Sequence, residues 1–112
     1  MKSALFIPAD EAPRLVEIPD SGSEELHELQ TFVGGWIEYV PTEQEVTLYC
    51  NEEGKIEGLA YNVLATKMFA GLLQPGDYLA GDVIALGPID EEGETTSIDA
   101  SWLERVREAM GV

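Results

Sequence analysis

The chain has 112 residues, enough for one small domain spanning 1–112 and too few for two. Hydrophobic residues make up 45% and charged residues 25%, the balance of a globular protein. Against 22 Asp and Glu stand only 6 Lys and Arg, a formal net charge of -16, which excludes direct nucleic-acid binding and electrostatic docking on an anionic membrane, since both need clustered cations.

No apolar run approaches the roughly 18 to 20 residues of a membrane span. The opening MKSALFIPADEAPRL meets acids and prolines too early for a secretion signal. A single cysteine, Cys50, excludes an internal disulfide and points to a reducing cytosol.

Lys2 to Ile7 is a short apolar run stopped by Pro8 and reads as a strand. A breaker-rich turn, Pro8 to Pro13, leads to a second strand from Arg14 to Ile18, and a hairpin joins the two economically. Ser21-Gly22-Ser23-Glu24 has capping-box spacing, with Ser23 an equally good cap. Leu26, Leu29 and Val33 then share one helical face, and Gly34-Gly35 ends the helix. Trp36 to Val40 and Glu45 to Cys50 read as an antiparallel pair of strands. Asn51-Glu52-Glu53-Gly54 is a tight turn into a short extended piece around Ile56.

Asn62 can cap a helix from Val63 to about Leu73, whose stripe of Leu64, Ala65, Met68, Phe69 and Leu72 predicts the most buried helix. After the loop Gln74 to Asp77, the run Val83-Ile84-Ala85-Leu86 reads as an interior strand. Asp90 to Glu94 is a solvated turn, and Asp99 can cap a last helix with Leu103, Val106 and Met110 on one face. The irregular mixture of strands and helices predicts an α+β domain. It should have a mainly antiparallel sheet with about three helices packed on one face.

No chemical motif stands out. Cys50 and the one histidine, His27, have nothing to bring them together, and no serine-hydrolase elbow is present. One His and one Cys cannot build a nitrogen–sulfur metal site, and the acidic run from Asp90 to Glu94 lacks the ligand spacing of a calcium loop. The glycine pairs precede strands rather than helices, so they are no phosphate cradle. The expectation is a protein with no catalytic set, metal or cofactor. Trp36, Tyr39, Tyr49, Tyr61 and Tyr78 either fill the core or, on an open sheet face, would stack on a nucleobase-like ring.

The acidic surface is the most distinctive feature. Its carboxylates run through the whole chain rather than forming a tail, and so imitate the charge density of a nucleic-acid backbone. Such a surface suits a basic partner protein, with Glu24, Glu25, Glu28, Glu52, Glu53, Asp90, Glu91, Glu92 and Glu94 as contacts. Simple solubility explains the same charge. A competing reading is a pocket for a small nucleotide-like ligand, formed by Gly35, Trp36, Asn51, Gly54, Asn62 and Thr66. In that reading Asn62, Ala65 and Thr66 leave small residues around helix-start N–H groups; in the plainer one Asn62 only caps the helix.

The stretches KSALFIPAD, VEIPD, LQTFVGGWIEYV, LYCNEEGKIEGLAYNVLAT, GDVIALG and EEGETTSI follow one another along most of the chain. In that order they resemble the uncharacterised family catalogued as domain of unknown function 3846. Where that family often reads LPxNxxAT, the chain has Leu59 to Thr66, with Asn62, Ala65 and Thr66 matching and Tyr61 standing in for an aliphatic residue. The resemblance implies a setting in bacteriophages, plasmids and some bacteria, and it carries no activity. Residues and resemblance together predict a small non-enzymatic binding protein of the host cytoplasm. Its role would be that of an accessory that blunts or redirects a host system. An exposed sheet edge or face is open to a second copy.

Overall fold

The computed structural model describes residues 1–40, 46–69, 71, 73 and 76–110. Strands β1 (Lys2–Ile7) and β2 (Arg14–Ile18) precede helix α1 (Gly22–Val33). Strands β3 (Ile37–Val40) and β4 (Thr47–Asn51) follow, then α2 (Val63–Phe69), β5 (Val83–Leu86) and α3 (Ser101–Ala109). The sheet order is β2-β1-β5-β4-β3, and every neighbouring pair is antiparallel. The domain is thus α+β.

Helices cover both faces of the sheet, not one. The cause is the composition of β1 and β5, which are apolar at nearly every position. On one face Ala4, Phe6, Ile18, Ile84 and Leu86 pack under Leu29 and Val33 of α1. On the other, Leu5, Ile7, Leu48, Val83 and Ala85 pack under Ala65 and Phe69 of α2 and Trp102 and Val106 of α3. A strand alternates its side chains between faces, so a continuous apolar run must be covered twice. The Phe69 and Trp102 rings meet at 5.5 Å where the two helices join.

Several local expectations change. Ser21 occupies the N-cap of α1, but its side chain makes no capping hydrogen bond. Leu26 is 43% exposed, so Leu29 and Val33 carry the α1 contact. The segment around Ile56 is a run of turns rather than an extended piece, closed by bonds such as Leu59 N to Gly54 O (2.8 Å). Helix α2 is defined to Phe69, and the expected stripe residue Leu72 lies outside the described residues. Asp99 does cap α3, accepting from Ser101 N at 2.9 Å. Gly34 closes α1 at φ 78, a conformation that only glycine takes without strain. Among the described residues, no helix is long and apolar enough to cross a membrane.

Asn62 pins one end of the sheet. Fully buried, it accepts from Ala65 N (2.9 Å), capping α2, and its Nδ2 donates to Ile7 O (2.9 Å) and Gly81 O (2.8 Å). One side chain thereby joins the end of β1, the approach to β5 and the start of α2. Replacing it strands buried groups of three segments. Asn62→Ala is expected to lower stability by about 3 kcal/mol, read from denaturant unfolding; a loss below about 1 kcal/mol would show that the three segments do not depend on it.

Candidate functional site

The acidic residues singled out in the sequence fall at two opposite ends of the sheet. β1 begins, and β2 and β5 finish, at the end where α1 also starts. There Lys2, buried on a strand, pairs with Glu25 of the first turn of α1. Lys2 Nζ also donates to Thr95 O (3.0 Å), and the Thr95 hydroxyl donates to Glu25 Oε2 (2.7 Å). This knot draws the turn between the bridged residues Ile89 and Thr95 against α1. Glu24, Glu28 and the Asp90 to Glu94 turn are therefore brought to one end.

The turn is built by Asp90 itself, whose Oδ1 accepts from Glu92 N (2.9 Å) and Glu94 N (3.0 Å). That leaves Glu91, Glu92 and Glu94 on the exposed surface. Glu24 and Glu25 also lie in the first turn of α1, where the helix dipole favours negative charge. Three expected contacts differ. Glu25 is only 13% exposed and belongs to the interior knot. Glu52 and Glu53 are exposed but follow β4 at the far end.

Every one of the six Lys and Arg is occupied within the chain. Lys2 is held in the knot; Arg14 lies 4.0 Å from Glu11 and over the Phe6 ring; Lys55 pairs with Asp77 and sits over Tyr78. Lys67 donates to Ala109 O (2.8 Å), Arg105 covers Trp102, and Arg107 pairs with Glu104. Neither Lys2 nor Thr95 carried a sequence signal, because a lone lysine opening an apolar strand looks like an ordinary solvated end.

The six residues of the expected ligand pocket separate into three places. Gly35, Asn51 and Gly54 come together: a Cβ on Gly35 would lie 2.9 Å from Asn51 Nδ2, and Gly54 N donates to Asn51 O. Asn51 itself bonds Val33 O (3.3 Å) and Glu53 N (2.8 Å). Asn62 and Thr66 are buried, with Thr66 Oγ1 accepting from Leu79 N (2.9 Å). Trp36 stands 68% exposed. A cleft of about 420 Å³ opens beside Asn51 and Gly34, with Asp10, Glu57 and Asp82 among its lining residues.

Cys50 and His27 lie on opposite sides of the sheet, since Cys50 packs on the α2 and α3 face and His27 is exposed on α1. Burial, then the neighbouring Glu38 charge, push the Cys50 thiol up to about 12. Such a thiol is no nucleophile near neutrality. Among the described residues, no three His, Cys, Asp or Glu side chains converge as a metal-ligand set.

Two measurements follow. Lys2→Met leaves Glu25 without its cation and should cost about 3 kcal/mol, with faster amide exchange in the 90–95 turn; unchanged exchange there would separate the turn from the knot. For Cys50 the folded chain keeps the proton that the unfolded chain loses above its ordinary value of 9.0. The native state then binds more protons than the unfolded one, so stability should fall as pH rises from about 9 towards 12. Cys50→Ser should flatten that alkaline limb, and in the native wild type an aromatic disulfide reagent should react only after unfolding.

Neither a curated protein sequence nor a solved structure matches the chain. A family model described as domain of unknown function (DUF3846) matches residues 1–111. With the match running through every strand and helix of the fold, the chain belongs to the DUF3846 family.

Proposed function

We propose that this chain is a small non-enzymatic binding protein, phage- or mobile-element-encoded, that docks its acidic surface on a basic host protein. The observation that carries this reading is the end of the domain where Glu24, Glu28, Glu91, Glu92 and Glu94 are assembled around the Lys2–Glu25 pair. The carboxylates there are set on a helix start and a hydrogen-bonded turn, so little ordering is needed when a partner binds. With all six cations engaged within the chain, the excess of negative charge is left to face solvent. A partner that normally grips nucleic acid phosphates has the complementary surface.

A second reading is capture of a small molecule in the 420 Å³ cleft beside Asn51. The three acidic residues among its lining favour a neutral or cationic ligand over a nucleotide, which narrows the ligand class expected from sequence.

The combined reversal Glu24→Lys, Glu28→Lys and Glu91→Lys should weaken capture of basic, nucleic-acid-binding proteins from host extract about tenfold or more. Glu104→Lys with Glu108→Lys, exposed on α3 and away from that end, should leave capture unchanged. Heparin and rising salt should both release the captured protein, because exposed charges are screened. Capture that survives the triple reversal and high salt would remove the acidic end from consideration.

A further inference from the structure

Among the described residues, β3 is the last strand of the sheet, with no strand paired on its outer edge. Glu52 N donates to Trp36 O at 2.8 Å, and the register pairs Ile37 with Asn51, Glu38 with Cys50 and Tyr39 with Tyr49. In an antiparallel pair, hydrogen-bonded and non-bonded positions alternate. Trp36, Glu38 and Val40 therefore turn their N–H and C=O groups to β4, and Ile37 and Tyr39 turn theirs outward. Edge strands of this kind are templates for a further strand.

Side chains beside that edge select the kind of strand. Glu38 and Glu52 lie on the α2 and α3 side, where a cavity of about 220 Å³ is lined by Glu38, Glu52, Asp77, Tyr78 and Cys50. Lys55 also lines it, with its charge held by Asp77. Trp36 and Tyr39, 68% and 47% exposed, offer aromatic faces along the strand. A cationic side chain on the Glu38 side of the edge would meet the Glu38 and Glu52 carboxylates, while Tyr39, alternating with Glu38, faces the α1 side against Tyr49. The opposite edge, β2, carries Arg14 and is bounded by Pro13 and Pro19, so it lacks this complementarity.

We propose that an extended basic segment of a partner protein adds to β3 as a further strand and seats a Lys or Arg in this cavity beside Glu38 and Glu52. Main-chain bonds to Ile37 and Tyr39 supply the hold, and the cavity supplies the choice of side chain. A second copy of this chain fits poorly. The self-pairing register that joins Ile37 to Tyr39 sets two Glu38 carboxylates opposite each other, and each copy brings a net charge of -16. The inference rests on the reading of the partner as basic, but uses a different surface from the α1 end.

The test is fluorescence anisotropy with a labelled octapeptide alternating Arg and Val, and the same peptide N-methylated at alternate amides. The plain peptide should bind, and methylation should weaken it about tenfold, the equivalent of one or two lost hydrogen bonds. Tyr39→Pro removes an outward N–H, a change edge strands tolerate, together with the ring that meets Tyr49, and should weaken binding by a similar factor, whereas Tyr39→Ala, which keeps the N–H, should weaken it less; Glu38→Gln should weaken it several-fold. Amide exchange at Ile37 and Tyr39 should slow in the complex, a readout that general loss of fold would move the other way. No binding of the plain peptide, equal binding of the methylated one, or unchanged exchange at Ile37 and Tyr39 overturns the proposal. Binding lost in the Glu24, Glu28 and Glu91 reversal but kept in Tyr39→Pro overturns edge addition alone and leaves the acidic-end reading standing. The converse pattern supports edge addition and removes the acidic end.

Discussion

Two neighbouring interior strands of this sheet, β1 and β5, are apolar on both faces, and the rest of the architecture answers that constraint. Val83 to Leu86 is buried at all four positions, and Ala4 to Ile7 likewise. Water must be kept from both sides, so α1 covers one face while α2 and α3 share the other. With both faces closed, chemistry and charge are pushed to the two ends of the sheet and to its outer strands.

The two ends are finished in different ways. At one, a neutral amide does the joining: Asn62 uses its acceptor and both donors on three separate segments. At the other, a lysine and a glutamate are held out of bulk water with Thr95 between them. The neutral joint serves the interior and leaves no charge to show outside. A buried ion pair is weak evidence for added stability, because desolvation offsets attraction. What the pair does achieve is register, placing the Asp90 turn against the start of α1.

That arrangement changes what the acidity means. Carboxylates scattered evenly over a surface would only repel one another and keep the protein soluble. Here the chain's own cations neutralise particular partners such as Asp77 and Glu104, or lie on rings such as Trp102. Glu24, Glu28 and the turn glutamates are gathered at one end, away from the pairs that Asp77 and Glu104 make. The outer edge of β3 adds a directional feature that charge lacks, since backbone hydrogen bonds specify an extended strand.

Much of the fold was legible from local pattern. β1 and β2, with their boundaries, followed from apolar runs ended by proline; α1 followed from Leu29, Val33 and the glycine stop; Asn62 and Asp99 were readable as caps. The α+β class and the family were also within reach of the sequence, because composition, order of elements and motif order are properties of the chain alone. The number of covered faces was less plain, although Val83 to Leu86 already held the hint in its unbroken apolar run. Lys2 with Glu25, and Asn62 with Ile7 and Gly81, join residues far apart in the chain, and no local periodicity records such contacts. Tertiary structure alone decided that Glu25 is interior while Glu24 is exposed, that Asn62 and Thr66 are spent on the core, and that Glu52 lies at the other end from Glu91. The physical reason is the same in each case: residue type sets what a side chain can do, and packing sets which partner it meets first.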